Sequence, residues 1–487
     1  MMRFLLLVLC VITTQIAAAQ LEVSKYSIDK IKKSALPVHY TGNDSLLNTL
    51  IIERGQLRHL RRDINLQVVE DIVLKMPRLG NFEEFITTIV NEDHSVSLIF
   101  ANSRKSKFAQ LKYDPINGRV ALEKSAFELK KETYLHGLTY NRKFYILSLN
   151  LQRQLVLHEI EKGAENDQTV FPTQDYEYHP YSSSNSQFIH KALKTKSQRS
   201  IGYTTLQVLE EDLPNSIEQV STSSKLLVKG GSLILSIDLD RKRTDVFTIS
   251  LEDKTMSIKS YDHAVDGLNE DGTFKSNSYL HEGLLYQVAV SSERMLFKVT
   301  DAETSEKLKM LTVNKQDSII PFANTPITQL GGAYANYREL DKPKQLLRKM
   351  KNSNPGISVH RVNNELEVTI GGTKEAENAG LFIAGVVMGA ATGVMLGGNN
   401  NMDFGYYSNP YFMSYNAGVN SKSVYIISLF DGNLQHLDVE VVDNIWDKID
   451  LYTDNIKPFQ VDIFNHRDTI YYSYYNRKTD EYILVRF

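Results

Sequence analysis

Cysteine is almost absent: the one copy in 487 residues, Cys10, falls within the first apolar stretch. A chain exported without that stretch could form no disulfide, no metal-thiolate site and no thiol nucleophile. An excess of one charge is also lacking, because 55 Lys+Arg face 58 Asp+Glu for a net of −3, which excludes a polyanion-coating protein. The 12 histidines never recur at the i, i+4 spacing that puts two imidazoles on one helix face, so no metal site is expected. There is no Gly-x-Ser-x-Gly elbow, and the pairs Gly230-Gly231, Gly331-Gly332 and Gly371-Gly372 lack the Lys-Ser/Thr that grips a nucleotide phosphate. No cofactor and no nucleic-acid partner is therefore expected. Proline is scarce at 12 and tryptophan is limited to Trp446, whereas 26 Tyr and 20 Phe are plentiful and favour pleated sheets over helical bundles. With 42% hydrophobic and 23% charged residues, the composition is that of a folded globular protein.

The N-terminus reads as a secretory signal: Arg3, then an apolar run over residues 4–12, then Ala17-Ala18-Ala19 before Gln20. Cleavage after Ala19 would leave a net charge of 54 − 58 = −4. A lipoprotein would need its cysteine at the end of the apolar run, but Cys10 follows Leu9 within it. Cysteine-free export suits a bacterial periplasm or cell envelope, outer-membrane associated or secreted, better than a small disulfide-bonded eukaryotic domain.

Beyond a segment at 20–80 carrying a short helix, residues 81–487 show a diverged repeat of strand, polar turn and strand every roughly 45–50 residues, a period typical of propeller blades. The pairs fall at 94–101 with 107–113, 143–150 with 154–160, 232–239 with 245–251, 283–290 with 294–300, 424–430 with 434–439, and 469–475 with 481–487. Weaker pairs are 187–193 with 201–209 and 357–362 with 365–370. These predict a mainly β, propeller-like array of roughly six to eight antiparallel units. The final strand would then close the ring against the other end of the chain; a β-sandwich pair or a solenoid is the alternative. Two basic stretches, 45–62 and 342–351, read as helices whose charges are solvated.

One segment departs from this pattern. Residues 379–398, AGLFIAGVVMGAATGVMLGG, carry no charge, and Gly385, Gly389, Gly393 and Gly397 recur every fourth residue. If helical, the four glycines share one stripe where a second helix can approach closely. The pattern resembles a glycine zipper, seen in membrane-associated envelope proteins, which implies membrane contact or self-association into a homo-oligomer; the alternative is a covered insertion. The zipper leads into an aromatic cluster that includes Tyr406, Tyr407 and Tyr411, so residues 379–419 form one insertion within the β array. These tyrosines, with Tyr176, Tyr178 and His179, are candidates for a ligand rim. Asp262, Asp266, Asn269 and Asp271 crowd one loop but depart from a calcium-loop pattern, so they read as a surface turn.

No catalytic residue is assigned. The sequence is read as that of an exported, envelope-associated binding or scaffold protein, non-enzymatic, meeting a protein or glycan partner, with the zipper touching membrane or a sister subunit. The alternatives are an extracellular propeller hydrolase or lyase acting on carbohydrate, with carboxylates gathered from distant strands, and a pore formed by the zipper.

Overall fold

The computed structural model describes residues 21–32, 35–160, 167–178, 187–193, 206–209, 213–240, 242–265, 268, 274–331, 337–362, 364–375, 421–453 and 456–487. It is mainly β, with 58% strand and 7% helix. Seven four- or five-stranded sheets follow one another along the described chain in a propeller-like array. Sheet 1 starts from Leu36–Thr41, sheet 2 from Phe82–Val90, sheet 3 from Thr133–Tyr140, sheet 4 from Ser224–Lys229, sheet 5 from Lys275–His281, sheet 6 from Asn354–Val362 and sheet 7 from Phe459–His466.

Burial explains this layout. Middle strands such as Leu47–Glu53 and Val96–Asn102 are covered almost throughout, whereas the outermost strands Val68–Lys75 and Lys307–Asn314 mix apolar with charged residues and are half-buried to exposed. Tight turns join the strands. Asp114 Oδ1 accepts the Ile116 and Asn117 amides at 3.0 and 3.1 Å, and Glu282 and Gly283 both take positive φ (48° and 79°), the backbone demanded by a two-residue hairpin turn.

Separate hydrophobic cores fill the spaces between successive sheets. Leu50, Leu57, Leu98 and Leu111 join sheets 1 and 2; Phe108 and Phe144 join sheets 2 and 3; Leu157, Leu226 and Phe247 join sheets 3 and 4; and Val288, Phe297, Val359 and Val368 join sheets 5 and 6. Polar networks supplement these cores. Between sheets 4 and 5, the Lys225 ammonium donates to Asp238 at 2.7 Å, Asn277 at 2.6 Å and the Thr222 carbonyl at 2.8 Å, and Asp238 also accepts from Thr244 and Ser278. Burial alone would neutralise Asp238; the Lys225 charge and these hydrogen bonds outweigh it and hold the carboxyl below its ordinary pKa.

The ring closes as the terminal strand predicts. Glu481–Arg486 pairs with Leu21–Ser27 from the other end of the chain, completing sheet 7 in the order Phe459–His466, Thr469–Asn476, Glu481–Arg486, Leu21–Ser27. The first described residues thus form the outermost strand of the last sheet.

Four expectations need correction. Residues 45–62 are not a helix but the strands Leu47–Glu53 and Gln56–Arg62, so sheet 1 lies inside the supposed N-terminal segment and the ring begins well before residue 81. Residues 434–439 form no strand: only an isolated bridge joins Phe430 to His436, and Ser421–Phe430 instead pairs with Glu365–Glu375 and Ile327–Gly331. Of the expected pair 187–193 with 201–209, residues 201–205 lie outside the described residues, while Gln187–Phe188 pairs with Glu177–Tyr178, Ile189–Leu193 is a helix and Gln207–Leu209 lies parallel to Ser224–Lys229. Sheet 6 also takes its fourth strand, Ile327–Gly331, from chain that precedes its first. The basic stretch 342–351 does form a helix, Pro343–Lys351.

The Lys225–Asp238 pair can be tested by substitution. Asp238→Asn leaves a buried ammonium without its counter-charge and is expected to lower unfolding free energy by about 3–5 kcal/mol in denaturant titrations. Adding Lys225→Met should recover at least half of that loss; a double variant no better than the single one would show that the charges are not coupled.

Candidate functional site

Five of the twelve histidines that the sequence scatters take equivalent places in the fold. His39, His136, His281, His360 and His466 sit on the first strands of sheets 1, 3, 5, 6 and 7. At the junction of sheets 1 and 7, His39 stacks on Phe464 with centroids 3.9 Å apart, and its two nitrogens meet Ser473 Oγ at 2.9 Å and Thr49 Oγ1 at 3.0 Å. At the junction of sheets 5 and 6, His281 and His360 help to line a cleft of about 420 Å³.

Three elements build that cleft. The strands Lys275–His281 and Asn354–Val362 end side by side, bringing His281, Glu282, His360 and Arg361 to its wall. The opposite wall is the start of the helix Ile445–Thr453, which contributes Asn444, Ile445 and Lys448. Asn444 caps that helix: its Oδ1 accepts the amides of Trp446 at 2.9 Å and Asp447 at 3.2 Å, while the Asp447 carboxylate accepts the Asn444 amide at 3.0 Å. Buried Trp446 fixes the helix further by donating its indole N–H to the Pro214 carbonyl at 2.7 Å.

Both signs of charge line the cleft. Arg361 grips Glu282 through two nitrogens, Nε at 3.0 Å and Nη2, and the bidentate pair bridges sheets 5 and 6. The Arg361 hydrogen bonds hold the Glu282 carboxyl below its ordinary pKa. Asp443 and Lys448 add one charge of each sign.

Behind the wall lies the most displaced carboxyl of the site. Glu367 pairs in register with His360, is 2% exposed, and places Oε1 3.6 Å from His360 Nε2. That distance suits an ion pair, but burial drives both groups towards neutrality. Burial, then the nearby Asp447 charge, pushes Glu367 up to about 7, and burial pulls His360 down to about 4.

Chemically the arrangement suits binding. Elsewhere, Ser148, His158 and Glu132 come together in sheet 3, but one atom, His158 Nε2, meets both Ser148 Oγ at 3.2 Å and Glu132 Oε2 at 2.7 Å. A nucleophilic triad needs acid and nucleophile on opposite ring nitrogens, and here Ser148 and His158 are fully buried. Among the described residues no three His, Cys, Asp or Glu side chains are gathered to hold a metal, and no helix is long and apolar enough to cross a membrane.

The rim candidates fare differently. Tyr178 is buried at 2% exposure in the core between sheets 3 and 4, and half-buried Tyr176 packs against that core, edge-on to Phe247 at 5.0 Å. His179, Tyr406, Tyr407, Tyr411, Gly385, Gly389, Gly393 and Gly397 lie outside the described residues. None of the cleft residues was selected from sequence. The available signal was a charged residue directly after a histidine near a strand end, in Leu280-His281-Glu282 and Val359-His360-Arg361.

The buried ionisable groups make stability depend on pH in opposite directions. His59, His136, His263 and His360 are all held at about 4 by burial. The unfolded chain, titrating near 6.5, then binds more protons as pH falls from 6.5 to 4, so stability should drop across that window by about 1–3 kcal/mol per histidine. Glu367 has the opposite sign: its raised value means the native state holds the extra proton between about 4.5 and 7, so its contribution is lost as pH rises. Glu367→Gln, which imitates the protonated group, should stabilise the protein by about 2–3 kcal/mol at pH 8 and by little at pH 5 in thermal melts. Equal effects at both pH values would place the Glu367 proton elsewhere.

No protein-family model matches the chain, and no curated protein sequence matches it. Among solved structures, it is similar to an arginine-to-alanine triple mutant of AofleA from Arthrobotrys oligospora, at 7% identity and a TM-score of 0.24 over 71% of this chain and 85% of that one. It is also similar to a structure from a study of two prolyl endopeptidases, at 11% identity and a TM-score of 0.30 over 84% of this chain. It spans about half of that second protein, 49% of its length. At these scores neither similarity bears on what this chain binds or does.

Proposed function

We propose that this chain is an exported, envelope-associated binding or scaffold protein without catalytic activity. Its cleft meets a protein or glycan partner, while Gly385, Gly389, Gly393 and Gly397 contact a membrane or a sister subunit. One observation carries the reading, namely that the cleft and the insertion belong to opposite ends of sheet 6. Val362, at the cleft, pairs with Glu365 at one end of the sheet, whereas Glu375 and Ser421, which bracket residues 376–420, pair at the other. At about 3.3 Å per residue, ten residues separate the two ends by roughly 30 Å. A head attached through residues 379–398 would therefore hold its cleft away from the attachment surface. The cleft lining supports recognition of a polar partner, since Glu282 with Arg361 and Asp443 with Lys448 offer donors and acceptors of both signs.

A second reading, a carbohydrate hydrolase, is favoured by one feature: Glu367, a carboxyl raised to about 7, influenced by the neighbouring Asp447 carboxylate behind the cleft. Against it, Glu367 is covered by its own sheet and does not line the cleft. Turnover of a polysaccharide panel that is abolished by Glu367→Gln would favour the hydrolase.

Fractionation separates the main reading from a covered insertion. The full chain should remain with carbonate-washed membranes, and a form lacking residues 379–398 should be soluble with unchanged circular dichroism. Gly389→Leu with Gly393→Leu should reduce membrane retention or self-association by at least tenfold if the glycine stripe is the contact. Two equally soluble forms would overturn the attachment.

A further inference from the structure

The sequence offers no compact basic cluster beside the zipper, but the fold assembles one at its root. Lys374 and Lys422 face each other across the hairpin that carries residues 376–420, and both are exposed. Like charges directly opposed across two strands are destabilising, so this pair is costly unless it serves contact with something acidic. The helix Pro343–Lys351 lies against the same hairpin, where a Cβ at Gly372 would run into Ser353, crowd the Asn354 carbonyl and come into contact with Met350. Its last turn presents exposed Arg348 and half-buried Lys349. Exposed Arg338 joins them from Arg338–Leu340, the edge strand of the sheet.

These cations form one patch. The Lys349 ammonium is held below its ordinary pKa first by burial and then by repulsion from Lys422, Arg348 and Arg338. Among the described residues, none of Arg338, Arg348, Lys349, Lys374 and Lys422 forms an ion pair. The nearby Glu339 carboxylate accepts a hydrogen bond from Tyr337 at 2.6 Å. Interaction with the helix dipole accounts for basic residues in the last turn of a helix, but not for Arg338, Lys374 or Lys422 on strands. From the centre of this patch departs a chain whose residues 379–398 are uncharged and apolar.

We propose that this end of sheet 6 docks on anionic lipid headgroups, with Arg338, Arg348, Lys349, Lys374 and Lys422 forming a basic collar around the root of the insertion. The inference rests on the membrane reading above and adds the lipid class to it. Headgroup phosphates supply the negative charge that the collar lacks, and the apolar residues beyond it suit the adjoining hydrocarbon.

Co-sedimentation of the full chain with two kinds of vesicle provides the test, one of phosphatidylcholine alone and one of equal parts phosphatidylcholine and phosphatidylglycerol. Partitioning should be at least tenfold stronger on the anionic vesicles and should weaken steeply with added salt. Each basic residue near such a surface contributes about fivefold, so Arg348→Gln, Lys349→Gln and Lys422→Gln together should lower anionic-vesicle binding roughly a hundredfold. Because they remove mutually repelling charges, these substitutions should not lower the melting temperature, and restoring Arg at position 348 should recover about fivefold. Equal binding to both vesicles, insensitive to the triple substitution but lost on deleting residues 379–398, would overturn the collar and leave the membrane reading standing. Absence of binding to either vesicle, with fractionation also unchanged by the deletion, would overturn both.

Discussion

Ring closure is the constraint on which the rest of the molecule depends. An open array of seven sheets would leave the two end sheets with one uncovered face each and at least one unpaired edge. The chain avoids this by pairing Leu21–Ser27 with Glu481–Arg486, so that the last sheet contains both ends of the described chain. The junction this creates between sheets 7 and 1 is notably polar. Tyr482 donates to Ser473 at 3.0 Å, Ser473 meets His39 at 2.9 Å, and His39 reaches Thr49 at 3.0 Å. Thr49 also accepts from Arg62, which is fully buried and whose pKa burial pulls down to about 10. Such groups are costly to bury and demand defined partners, whereas apolar contacts tolerate sliding. A seam joining segments more than four hundred residues apart thereby obtains a fixed register.

The same closure determines where function can reside. Once the sheets face one another, the flat surfaces of their inner strands are consumed in the cores, and strand ends, connections and the outermost strands remain free. The cleft uses ends of the first strands of sheets 5 and 6 together with the helix that leads into sheet 7. The insertion uses the connection between Glu365–Glu375 and Ser421–Phe430 at the far end of sheet 6. Because strand direction alternates within a sheet, a connection one strand along from the cleft necessarily emerges on the opposite face. The separation of cleft and insertion thus follows from topology, without a dedicated domain between them.

Much of the array was legible because most repeats contain two apolar strands joined by a short polar turn, and a local pair is readable within fifteen residues. The terminal strand was legible for the same reason, as Tyr482 to Val485 is a compact apolar run. Sheet 1 was misread because Leu47–Glu53 is buried on both faces, which removes the alternation that marks a strand and leaves leucine spacings compatible with a helix. Sheet 6 was partly misread because Ser421–Phe430 takes partners from about 50 and 100 residues earlier rather than from the adjacent 434–439. The cleft was legible only in fragments, as the pairs His281-Glu282 and His360-Arg361. Its walls come from Pro214, the 281–282 turn, residues 360–362 and the 443–448 cap, and no window of sequence contains two of them. The collar was hidden in the same way: Arg338, Arg348, Lys374 and Lys422 span more than eighty residues and become neighbours only through the hairpin and the helix packed on it.

The histidines show what the ring requires of its sequence. Scattered in the chain, five of the twelve are nevertheless placed on first strands, where neighbouring sheets approach most closely. A first strand has little room for long side chains but must still satisfy hydroxyls and carbonyls from the sheet beside it. An imidazole meets both demands, being flat enough to stack, as His39 does on Phe464, and able to bond at two edges. Burial keeps the rings of His39, His136 and His360 neutral, and at the seam between sheets 7 and 1 His39 serves as a two-sided hydrogen-bonding group without a buried charge. For these five histidines the spacing that looks random along the sequence follows the repeat, since each falls on the strand that faces a neighbouring sheet.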